Sequence, residues 1–232
     1  MSNVFVTPQW FYGYDVALEL IFAVITLLVC FYSWKIYKVT QERNIRLFSL
    51  AFFFISLSYI VQSILNFVIM DQLDDNVSTL INLNNVYLLN LFGIYTHSLL
   101  FLVGLLLLAY IALRIYSLPT FILMSILVFA SLYFSPYKTF MLYLLSTVLL
   151  GFIVYYYLTN YWNNRKATTL LVLLAMVILF IAYMCFMFAT DDSFYYILGH
   201  LLELTAYITV LVNLIIILRI GKQKFKNGKK TR

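Results

Sequence analysis

The chain has 232 residues, 64% of them apolar and only 10% charged, with a mean hydropathy of +0.96. Soluble domains are about a quarter charged, so composition excludes a soluble enzyme, a disordered chain and a stand-alone nucleic-acid binder. The net charge of +6 gathers in the C-terminal stretch, with no aromatic platform beside it, so no nucleic-acid partner is expected.

Apolar runs predict seven helices at 14–37, 46–70, 86–113, 119–134, 138–160, 168–189 and 194–220. Most exceed the ~20 residues that cross the hydrocarbon. The fourth is shorter and starts at Pro119, where a missing N–H is harmless in a first helical turn. The charges argue that it crosses too. Lys35, Lys38, Arg43 and Arg46 follow the first run, Arg114 the third, Arg165 and Lys166 the fifth, and Arg219 ends the seventh. The alternate loops hold Lys138 alone among the 15 Lys and Arg, together with Asp71, Asp74, Asp75, Asp191 and Asp192. The positive-inside rule then places the N-terminus outside and the C-terminus in the cytoplasm. The expected fold is an all-α, polytopic seven-helix bundle, one domain over 1–232, in the plasma membrane.

Trp10, Phe11, Tyr12 and Tyr14 read as an outer interfacial anchor, and Tyr155, Tyr156, Tyr157, Tyr161 and Trp162 as the inner one. Gly221 is expected to stop the last helix, leaving a tail with Lys222, Lys224, Lys226, Lys229, Lys230 and Arg232. That tail sets orientation and would also hold anionic lipid, at about 1 kcal/mol per charge. Cys30 and Cys185 fall ~20 Å apart in depth at 1.5 Å per residue, beyond disulfide reach. Asn76-Val77-Ser78 matches a glycosylation sequon, a pattern short enough to arise by chance.

Ionisable side chains are expensive in hydrocarbon, so Glu19, His97, His200 and Glu203 are the informative residues. Counted from the basic end of each helix, Glu19, Gln62, His97 and Glu203 all fall at ~24 to 25 Å, with His200 one turn further. Tyr183 is near the same height. His200 and Glu203 are i,i+3 neighbours and point to one side. Asn90, Gly93, His97 and Gly104 line one stripe of the third helix, as Asp15, Glu19, Thr26, Cys30 and Ser33 do on the first. A buried carboxylate needs a partner, and the expected pairs join His97 or His200 to Glu19 or Glu203. The candidate ligand-binding set is therefore Glu19, Gln62, His97, His200, Glu203 and Tyr183. Interhelical glue without a ligand, worth about 0.6–2 kcal/mol per contact, is the competing reading.

Tyr95-Thr96-His97-Ser98-Leu99-Leu100 echoes Leu198-Gly199-His200-Leu201-Leu202, and both helices run into Leu-Arg-Ile at 113–115 and 218–220. A duplicated three-helix unit joined by the fourth helix would explain this. No lysine lies in a helix interior for a retinal Schiff base, Lys35 and Lys138 being at helix ends, and no acidic residue precedes Arg114 as in G-protein-coupled receptors. In architecture alone the chain resembles the heptahelical sensor regions of prokaryotic signalling proteins.

Three functions are compatible with these residues. The first is a sensor, receptor or accessory subunit binding a small molecule, lipid or ion in an outward-biased polar pocket, either alone or beside a membrane protein partner. The second is a metal- or haem-dependent membrane enzyme or redox protein, with His97, His200, Glu203 and Glu19 as ligands. The third is a proton-coupled transporter. The first, a non-enzymatic role, leads, with the enzyme kept as an alternative.

Overall fold

The computed structural model describes residues 12–74, 80–114, 117–189 and 192–228. Among them the chain is all-helical: α1 Tyr12–Thr40, α2 Arg43–Asp74, α3 Leu80–Ala112, α4 Leu118–Phe134, α5 Lys138–Asn164, α6 Ala167–Phe188 and α7 Ser193–Gly228. Six are long and apolar enough to cross a membrane; α4, with 17 residues, is shorter. These apolar helices mark an integral membrane protein. α7 runs through Gly221 to Gly228, so the expected stop is not used. One glycine inside a helix costs only about 1 kcal/mol, too little to end it. Trp10, Phe11, the Asn76-Val77-Ser78 motif and the final residues of the tail lie outside the described residues.

α1, α2, α3, α5, α6 and α7 form a closed ring in that order, since each packs on the next and α7 packs on α1. α4 stands outside, against α3 and α5 only. Two seams join parallel helices. Asp15 near the start of α1 meets Tyr196 near the start of α7. Across the other seam, Lys138 at the start of α5 lies over Tyr95 at 5.4 Å, and the C-terminal ends of α3 and α5 share a groove. α4 runs back between these ends. Its start touches α3 through Phe121 and Tyr110, ring centroids 5.3 Å apart, and its last carbonyls accept hydrogen bonds from the Lys138 ammonium.

Polarity is arranged inward. On α1, Asp15, Glu19, Thr26 and Ser33 are buried, whereas Val24 and Phe31 are 58% and 60% exposed. A water-soluble helix would do the reverse. Small residues set the close α1–α2 contact: the Ser56 hydroxyl donates to the Ala23 carbonyl and the Ser49 hydroxyl to that of Cys30, each at 2.9 Å. Gly104 does the same for α2 and α3, for a methyl group there would lie 2.5 Å from Ile55 Cγ1 and 2.9 Å from the Ala51 carbonyl oxygen. At the basic end, α1, α3 and α5 turn out of their helices through Gln41, Arg114 and Arg165, each with positive φ. Tyr155 and Trp162 are largely exposed on α5, as an interfacial aromatic belt requires. Cys30 and Cys185 are both free thiols, with the Cys30 Sγ 3.4 Å from the Ser49 hydroxyl.

Candidate functional site

The ring encloses a polar network in one half of its length. Its centre is the Glu203 carboxylate, 2% exposed. Oε1 accepts hydrogen bonds from Tyr59 on α2, from Tyr183 on α6 at 3.1 Å, and from Tyr207 one turn along α7 at 3.3 Å. The Tyr59 and Tyr207 hydroxyls also lie 3.0 Å from each other. Three phenols on one oxygen stand in for the water that a carboxylate would otherwise hold, which is why a helix interior tolerates the acid.

The other oxygen, Oε2, faces His200 Nδ1 at 3.7 Å. The opposite ring nitrogen, Nε2, lies 3.3 Å from Asp15 Oδ1 on α1. Asp15 Oδ2 in turn accepts a hydrogen bond of 2.8 Å from Tyr196. One imidazole therefore bridges two carboxylates from two helices. Aromatic rings wall it closely: Tyr196 at 4.6 Å, Phe186 at 4.9 Å and Phe22 at 5.8 Å between centroids. Asp15 sits ~4.5 Å into α1 and Glu203 ~15 Å into α7, at 1.5 Å per residue. The network thus runs inward from the end where α1 and α7 begin.

Of the expected residues, His200, Glu203 and Tyr183 come together here. Glu19 does not join them. Both of its oxygens accept from the Asn66 amide, at 2.8 and 3.0 Å. Gln62 belongs to that side cluster, donating to Asn66 Oδ1 at 3.4 Å, and its own Oε1 is buried without a hydrogen-bond partner. Among the described residues His97 meets no carboxylate. Its Nδ1 lies 3.3 Å from the Ser58 carbonyl oxygen and its ring stacks on Phe101 at 5.8 Å. It reaches the network through rings alone: the Tyr59 ring, 5.6 Å away, and Phe101, which stacks in turn on Tyr183 at 5.3 Å.

The expected metal set of His97, His200, Glu203 and Glu19 is accordingly not assembled. Among the described residues no three His, Cys, Asp or Glu side chains gather as metal ligands. The physical reason is partner choice: Asn66 holds Glu19, and a backbone carbonyl holds His97.

Sequence reasoning left Asp15, Tyr59, Tyr196, Tyr207 and Asn66 out of the site. Two signals pointed to them. Asp15 precedes Glu19 by one turn on the same stripe, and Tyr207 follows Glu203 by one turn. Nothing local marks Tyr59, since which helix faces Glu203 depends on the ring order.

Compared with known proteins, the chain matches no family model, no curated protein and no solved structure.

Proposed function

We propose that the chain is a seven-span membrane protein of the sensor or accessory-subunit type, with its N-terminus outside and its C-terminus in the cytoplasm. Its working element is the Asp15–His200–Glu203 network, and the ligand it takes from outside is an ion, foremost the proton. The parallel course of α3 and α5 supports a crossing by α4, which at ~26 Å is nearly as long as the hydrocarbon core. The basic residues at the ends of α1, α3, α5 and α7 support the orientation.

The observation that carries the reading is the His200 imidazole between two carboxylates, 3.3 Å from one and 3.7 Å from the other. An imidazole has two ring nitrogens, each able to hold or accept a proton. Placed between Asp15 near the rim and Glu203 at mid-depth, it offers a proton two acceptors on two helices. Tyr59, Tyr183 and Tyr207 then carry any change at Glu203 to α2 and α6. The close aromatic walls suit a proton or small cation better than a lipid or drug-sized molecule, which needs a cavity of about 300 Å³ or more.

Infrared difference spectroscopy of the purified protein between pH 5 and 8 tests this. A spectral change with pH that belongs to the network as a unit, and is lost in Asp15→Asn and in Glu203→Gln alike, is expected. A spectrum identical in the wild type and both variants removes the network from the function. A proton-coupled carrier is the second reading, favoured by the same reach from rim to mid-depth. Proteoliposomes separate the two: a sensor leaks no protons, and a carrier moves them with its solute.

A further inference from the structure

At the opposite, basic end, a cavity of about 370 Å³ opens between the C-terminal ends of α3 and α5. Arg114 stands at its head, 5.8 Å from the Tyr156 ring centroid. Thr159, Asn160 and Asn163 line it with hydroxyl and amide groups, and Phe152 closes its deep end. No Asp or Glu is among its lining residues. Lys35, Lys38, Arg43, Arg46, Arg165 and Lys166 stand at helix ends on this same side. From Asn163 to Phe152 the groove runs ~16 Å along α5, from the interface into the hydrocarbon.

We propose that this groove binds the phosphate of an anionic phospholipid, with Arg114 as the charged contact. A guanidinium presents a fork of N–H donors that matches phosphate oxygens. The side-chain amides of Asn160 and Asn163 add neutral donors at headgroup level, while the Thr159 hydroxyl donates to the Tyr156 carbonyl at 2.8 Å. Phe152 then meets the first segment of an acyl chain. Arg114 itself adopts φ 51°, a conformation that costs a non-glycine residue about 1–2 kcal/mol. It turns the chain out of α3 at the mouth of the groove. The C-terminal carbonyls of α3 oppose an anion, so the site depends on the arginine charge. The proposal rests on the membrane location alone and is independent of the Asp15–His200–Glu203 network.

The test is thermal unfolding of the full-length protein in detergent with added phosphatidylglycerol, phosphatidylcholine or inorganic phosphate. Phosphatidylglycerol is expected to raise the Tm, and phosphatidylcholine to leave it within error. Arg114→Gln loses at least half of that rise, and Lys138→Gln, at the other end, keeps it. Should Arg114→Gln fail to fold, Asn163→Leu at its exposed position decides by the same loss. A rise with inorganic phosphate equal to that with lipid, and lost in the same variants, identifies the phosphate group alone as the ligand. The proposal is overturned if the two lipids act alike, or if the rise survives these substitutions and so belongs to the basic tail.

Discussion

Asp15 and Glu203, on different helices and 188 positions apart in the chain, are joined by one imidazole: His200 lies 3.3 Å from the first and 3.7 Å from the second. Neither acid is on the lipid-facing surface; they are 9% and 2% exposed. The arrangement makes the α1–α7 seam chemically unlike the parallel α3–α5 seam, where Arg114 rather than a carboxylate stands between the helices.

Removing the acceptor at the centre should be felt by three helices at once. Glu203→Ala leaves the hydroxyls of Tyr59, Tyr183 and Tyr207 without their shared oxygen. A loss of about 1–3 kcal/mol per buried unsatisfied group sets the scale, reduced by the Tyr59–Tyr207 contact that survives. Chemical unfolding in detergent is expected to show Glu203→Ala far less stable than Glu203→Gln, which keeps a carbonyl oxygen in place. Equal stabilities would mean the tyrosines do not depend on that acceptor.

The Glu19–Asn66 pair is a separate unit, and its energetics should be separable. Asn66→Leu strands both oxygens of Glu19 in the α1–α2 interface. Glu19→Leu in the same chain removes the stranded carboxyl group and restores part of the stability. A double-mutant cycle is expected to give a coupling of about 1–2 kcal/mol, at the upper end for membrane hydrogen bonds. Additive effects would show that the amide does not hold the carboxylate.

Close helix approach at Gly104 makes a contrasting prediction about space. Alanine is the better helix former by about 1 kcal/mol, yet a methyl group at Gly104 would press on the Ala51 carbonyl and Ile55. Overpacking of about 1–3 kcal/mol then outweighs propensity, and Gly104→Ala lowers the Tm. Gly13→Ala, where a Cβ meets nothing within 4 Å, leaves the Tm unchanged or raises it slightly. The same response at both positions would contradict the α2–α3 contact.

Much of this architecture was readable from residues alone, and the part that was not has a physical cause. Hydropathy marks all seven helices, within a few residues except at the start of α3 and the end of α7, because hydrocarbon thickness sets a length that the chain must meet. It also marks Glu203 and His200, since an acid and an imidazole one turn apart in an apolar helix have few other uses. Helix rotation is harder to read. Lipid and protein interior are equally apolar, so Phe22 and Phe31, buried and exposed on one helix, look alike in sequence. Ring order is likewise invisible, and with it the approach of Tyr59 to Glu203. His97 shows the opposite failure. Its depth matches the polar level, yet depth says nothing about azimuth, and a Ser58 carbonyl answers it instead of an acid. The extension of α7 past Gly221 was missed for a third reason: a glycine is a stop only where the following chain has another conformation to take.

Topology provides a check that involves no stability at all. With Cys30 and Cys185 replaced by serine, a single cysteine at position 138 is expected to react with an impermeant maleimide added outside intact cells. One at position 165 should react only after the membrane is opened. Labelling of both from the same side would place α4 in the membrane surface rather than across it.

The account turns on Asp15, His200 and Glu203 acting as one unit, and a double-mutant cycle between the two acids tests this most directly. Asp15→Asn and Glu203→Gln, measured singly and together by unfolding in detergent, should be non-additive by more than the roughly 0.3–0.5 kcal/mol scatter of independent sites. The same cycle repeated in a His200→Phe background should become additive. Additivity in the presence of His200 would contradict the account, for the two carboxylates would then be separate buried acids with no imidazole linking them.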